Sequence, residues 1–154
     1  MVYLILVLIH VITVIIFLGN ITIAPFWKMR AEKTKDRLYL IKTWEGIIRA
    51  DKYFTMPGVS ILTLFGIGAA AHFKYNFIET GWIFWSIIML AISGAAFMVR
   101  VVPIQKNIVA YLTDESRFNW DGYNKLSKQW DIWGSIATLS PWIAVILMVL
   151  KPEI

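Results

Sequence analysis

Four apolar runs, each long enough to cross a bilayer, dominate the chain and leave it few folds. A hydrocarbon core of roughly 30 Å needs about 20 apolar helical residues, and in lipid a segment must satisfy its own backbone hydrogen bonds. The first run is Val2 to Phe26, uncharged, with His10 and Asn20 as its strongly polar residues. It lacks the basic start and small-residue cleavage site of a signal peptide, so it is expected to persist as a helix. The others run from about Tyr53 to Phe73, Trp82 to Gln105 and Ile132 to Leu150. Only 16% of the 154 residues are charged, against about a quarter in a soluble domain. No linker-like stretch divides them. The expectation is one all-α membrane domain over residues 1–154, a bundle of four transmembrane helices.

Orientation follows from the lysines and arginines. Eight lie between the first and second runs and five at or between the third and fourth, while only Lys74 and Lys151 fall on the other side. The positive-inside rule then places two basic loops in the cytoplasm and both termini outside, as in a bacterial inner (plasma) membrane protein. The same distribution explains the net charge of +5 and argues against nucleic acid as a partner. Trp27, Trp130 and Trp133 are expected as inner interface anchors, with Trp82 and Trp85 as outer ones. Leu38, Ile41, Trp44 and Ile48 follow helical spacing, as do Tyr123, Leu126, Trp130 and Trp133. The basic loops are therefore partly helical, lying on the membrane surface or lengthening helices two and four. The result is two helix–basic loop–helix hairpins of one orientation.

Small residues cluster on helix two (Gly66, Gly68 and Ala69 to Ala71) and helix three (Ala91 and Ser93 to Ala96). Because small residues let helix backbones approach in lipid, these two helices are expected to pack together, with room for a flat ligand as the alternative. Pro57 and Pro141 should kink or loosen helices two and four. Pro141 leaves the carbonyl of Ala137 without its usual donor.

The chain has no cysteine, which excludes disulfides, thiolate zinc, iron–sulfur clusters and a thiol nucleophile. It also has no glycine-rich phosphate loop, no HExxH, no GxSxG and no carboxylate pair within the runs. His10 is the most informative position left. It lies roughly 10 Å below the outer end of helix one, where an ionisable group suggests function and a neutral imidazole suits haem iron or another metal. The alternative is an imidazole hydrogen-bonded to a neighbouring helix. His72 is about 9 Å shallower and reads as an interfacial residue. Met89 matches His10 in depth, as a packing residue or as the second ligand of a haem. Asn20 shares a face with His10 and Thr13, with Ser60, Thr63, Thr138 and Ser140 near its depth as hydrogen-bond partners. Arg49, Asp51 and Arg100 fall near the inner boundary, read as snorkelling side chains with an ion pair or as a site for an anionic headgroup or substrate.

Six segments together resemble a known family over nearly the whole chain. They are LIHVITVIIFLGN, FWKMRAEKTKD, IIRADKYFTMPGVSIL, TGWIFWSIIMLAISG, RVVPIQKNI and KQWDIWGSIATLSPWIAVILMVLKP. The family is one of bacterial integral membrane proteins classed as a domain of unknown function, and it implies four helices and no activity. More distantly the chain resembles the HemJ-type protoporphyrinogen oxidases and the CopD-like copper-resistance proteins. In the oxidase family a first-helix histidine followed by a Trp–Gly-type pattern is the haem ligand, and His10 followed by Leu18–Gly19 takes that place here. Thr55–Met56–Pro57 resembles the family's Thr–Pro opening of helix two, and Leu150–Lys151–Pro152 its Val–Lys–Pro ending. Where the family carries a helix-three lysine, counting from Gly81–Trp82 reaches Ser86, which cannot replace an amine. The resemblance implies b-type haem or a porphyrin held by His10 for redox or electron-transfer chemistry, as in an oxidoreductase with a quinone-type partner. The alternative is a non-enzymatic membrane subunit or transport-related protein with no cofactor, assembled as a homo-oligomer or with another membrane protein. Copper handling is a third reading.

Overall fold

Residues 1–153 are described by a computed structural model that is helical apart from short connections. Four helices result: α1 (Val2–Thr34), α2 (Arg37–His72), α3 (Gly81–Thr113) and α4 (Trp120–Leu150). Helices of this length are roughly 50 Å long, well beyond a bilayer core. The surplus lies at the basic end, where the amphipathic stretches around Trp44 and Trp130 lengthen α2 and α4 rather than lying on the surface. What read as long loops shrinks to tight connections. Lys35, left-handed at φ 53°, closes α1, and Asp36 starts α2 by accepting from the amide of Tyr39 at 3.1 Å. Asn119 likewise starts α4 through the amide of Gly122 at 2.8 Å. In the α3–α4 connection the Ser116 hydroxyl and amide bond Asp114, holding its carboxyl below the ordinary aspartate range.

Two wide turns interrupt the regular winding. Asp51–Thr55 in α2 and Phe97–Val101 in α3 are π-helical. Each closes with an amide reaching back five residues, Met56 to Asp51 and Val102 to Phe97. Each precedes a proline by two residues, Pro57 and Pro103. A proline offers no N–H to the carbonyl four residues back and its ring crowds that carbonyl. Widening the preceding turn relieves the clash without breaking the helix. Pro141 takes another route: α4 runs through it, and the orphaned Ala137 carbonyl accepts from Ser93 Oγ of α3 at 2.6 Å.

The chain packs as two hairpins, α1 on α2 and α3 on α4. At the basic end the four helices join around Leu40, Trp44, Ile108, Leu112, Tyr123 and Trp130. Toward the terminal end α2 and α3 part, while Leu90 of α3 and Val145 of α4 still pack against the cluster around Phe17 and Leu62. No Cα of Met56–His72 comes within 8 Å of one in Gly81–Ala96. The expected packing of helices two and three through their small residues is therefore not what forms. Gly58 instead seats Phe17 of α1 and Gly66 seats His10. Ser86, seven residues from Ser93 on the same face of α3, reaches α4 through the Ala144 carbonyl at 3.2 Å. Each small-residue stripe serves its own hairpin.

Candidate functional site

A cavity of about 290 Å³ lies where the two hairpins meet, inside the basic half of the bundle. Its walls are largely apolar, from Phe17 and Ile21 of α1, Val59 of α2, Phe97 and Val101 of α3, and Ala137 of α4. Both π-helical segments contribute to it. The first brings Asp51 and Thr55, and the second brings Phe97, Met98 and Val101.

Asp51 is the polar centre of this wall, with 5% of its surface exposed. Its Oδ1 accepts from Thr55 Oγ1 at 2.7 Å and from Asn20 Nδ2 at 3.2 Å. Its Oδ2 accepts from Gln105 Nε2 at 2.8 Å, and Asn20 also reaches Thr55 at 2.9 Å. One carboxyl thus gathers side chains from α1, α2 and α3. Among the described residues it makes no ion pair. Arg49 is exposed, because positions two apart on a helix do not share a face. Arg100 is also exposed and lays its guanidinium 5.0 Å from the ring centroid of Trp133. The expected ion pair among Arg49, Asp51 and Arg100 does not form among the described residues. Nor does Asn20 use the partners expected of it, since Ser60, Thr63 and Ser140 bond carbonyls of their own helices. Across the Asn20 side chain, α1 and α2 leave a second hollow of about 350 Å³, lined by Asn20, Trp27 and Gly46. The Asn20–Asp51 bond stands between the two.

Trp130 also lines the cavity. It is 4% exposed and its indole N–H has no acceptor among the described residues, an uncommon state for a buried donor. It was expected at the interface, but Trp44 meets it edge-on at 5.2 Å and the Lys28 ammonium lies 5.5 Å from its ring. Lys28, only 2% exposed, pairs with Asp131 of α4 at 2.5 Å and with Glu32 at 3.5 Å. Glu32 in turn accepts from Tyr123 and Ser127. This cross-hairpin network holds the cavity's basic-end wall; Lys28 and Glu32 pair locally at i,i+4, but nothing in the local sequence pairs them with α4.

The haem-candidate residues lie elsewhere. His10 is half-buried against Gly66, and its Nδ1 is 2.7 Å from the Leu62 carbonyl. A carbonyl only accepts, so Nδ1 carries the hydrogen and a neutral ring keeps its lone pair on Nε2. Neither His10 nor Met89 lines the cavity. Ser86 is occupied by the carbonyls of Trp82 and Ala144. His72 lies exposed beside Tyr3. No cluster of three or more histidine or acidic side chains suited to a metal occurs among the described residues. His10 thus keeps Nε2 outside its bond to Leu62.

No curated protein and no solved structure matches the chain, so the distant resemblance to the HemJ-type and CopD-like proteins is not shown. A family model does match, over residues 4–152, nearly the whole length. Four membrane-length helices and that match agree: the chain belongs to the family described as Predicted integral membrane protein (DUF2269).

Proposed function

We propose that the chain is a non-enzymatic, transport-related membrane protein that admits a small amphipathic molecule to the cavity between its hairpins. The observation carrying this reading is Asp51, a buried carboxyl with no ionic partner on the wall of an apolar cavity. A buried ionisable group without an ionic partner is costly and points to function, and an apolar hollow with a few convergent polar groups is the usual form of a ligand site. The positive-inside rule opens this half of the bundle toward the cytoplasm. Gly94 provides the test. It lines the cavity, and a Cβ there meets nothing within 4 Å. Small molecules extracted from purified wild-type protein and from Gly94→Phe would be compared by mass spectrometry. A species retained by the wild type and lost from the filled variant is expected, and identical extracts would sink the reading.

A second reading keeps b-type haem or a porphyrin on His10, for redox or electron transfer. Its support is the Nδ1 bond to Leu62, which leaves Nε2 available as a ligand. When bound, haem would supply one-electron chemistry. His10 would hold it and Leu62 would orient the ring. A Soret band in the purified protein that disappears in His10→Ala supports this reading. A featureless spectrum from folded protein grown with ample haem removes it.

A further inference from the structure

The chemistry around Asp51 narrows what the cavity takes. The three side chains that bond it, Asn20, Thr55 and Gln105, are neutral. They orient the carboxyl without cancelling its charge. A carboxylate only accepts, so Asn20 and Gln105 turn their amide nitrogens toward it, and their carbonyl oxygens face away. That is the reverse of an inorganic cation site, where amide oxygens converge on the ion. The volume argues the same way. A single water occupies about 30 Å³ in the liquid, and a cavity of about 290 Å³ walled by Phe17, Ile21, Val59 and Phe97 suits an organic body. Aromatic rings on the wall also favour a cation through their negative faces.

We infer that the cavity recognises a small organic monocation, an ammonium group on an apolar or aromatic body, with Asp51 as its counter-ion. The inference rests on the cavity being a ligand site. A neutral hydrogen-bonding molecule of quinone type is the competing occupant, and it needs no uncompensated carboxylate.

The test uses the full chain in nanodiscs of zwitterionic lipid, with empty discs as the baseline. The probes are 2-phenylethylamine and its neutral counterpart 2-phenylethanol, titrated by calorimetry at pH 7. The amine should bind the wild type at least 10-fold more tightly than the alcohol. Asp51→Asn should erase that preference, and Gly94→Phe should abolish binding of both. The wild-type comparison alone decides the matter if Asp51→Asn fails to fold. Equal binding of the two probes, lost in Gly94→Phe, would overturn the cation and leave the ligand cavity standing. Binding of neither probe also overturns the cation, and the extracts from Gly94→Phe then judge the cavity separately.

Discussion

Ser93 of α3 donates its hydroxyl to the Ala137 carbonyl of α4 at 2.6 Å, and that carbonyl is the one Pro141 cannot serve. A defect within one helix is repaired by the next, and the repair fixes the register of the hairpin. Ser93→Ala should destabilise the protein by about 1–3 kcal/mol, the range for stranding a buried acceptor. In a Pro141→Ala background the restored amide serves Ala137 instead, so the same serine change should cost well under half as much. A double-mutant cycle on thermal midpoints in detergent checks this. Additive losses would mean that the Ser93 bond does not depend on the carbonyl Pro141 leaves vacant.

At the other hairpin, His10 and Gly66 are matched by shape. A Cβ on Gly66 would stand 2.9 Å from the imidazole and displace it from the Leu62 carbonyl. Gly66→Ala alone should therefore cost about 1–3 kcal/mol, as overpacking does. Combined with His10→Ala it should cost less than either change alone, because the added methyl then fills vacated space. If the double variant is the least stable of the three, the two residues are not in the contact described.

The four helices and their hairpin pairing were legible in the sequence because hydropathy and the lysine and arginine count act over whole segments. The partner of each small-residue stripe was not. Gly66 and Gly94 look alike in sequence, yet one seats a histidine and the other borders open space. Asp51 misled for a geometric reason: Arg49 is near it in sequence but points to another face, while its partners are Thr55, one turn on, and residues 31 and 54 positions away on α1 and α3. Of the proline effects, the Ala137 vacancy was readable and its filling by Ser93 was not. Pro57 and Pro103, each two residues past a widened turn, form a signal that a search for proline at matched helix positions would have found.

Lys28 hides in the positive-inside count, yet it is 2% exposed while its partner Asp131 is 52% exposed. Lys28→Met keeps the stem's packing and removes the charge. Asp131 then rehydrates, and Glu32 keeps its bonds from Tyr123 and Ser127. The expected loss is about 1–2 kcal/mol, below the 3–5 of a pair buried on both sides. Adding Asp131→Asn should change little further. A loss above 4 kcal/mol in the single variant, read from denaturant titration in mixed micelles, would mean that Asp131 has no access to water.

Two buried tryptophans differ in whether their indole N–H is bonded within the protein. Trp44 and Trp130 meet edge to face, are 0% and 4% exposed, and belong to one core. Trp44 donates its N–H to the Tyr123 hydroxyl at 3.2 Å, whereas the Trp130 N–H has no acceptor. Replacing either with phenylalanine removes the same volume, so the difference between the two variants isolates the N–H. Trp44→Phe loses a buried hydrogen bond as well as packing. Trp130→Phe loses packing but also relieves a stranded donor. The Trp130 variant should therefore be the more stable by about 1–2 kcal/mol in ligand-free protein. Equal losses in ligand-free protein would mean that the Trp130 N–H is satisfied there.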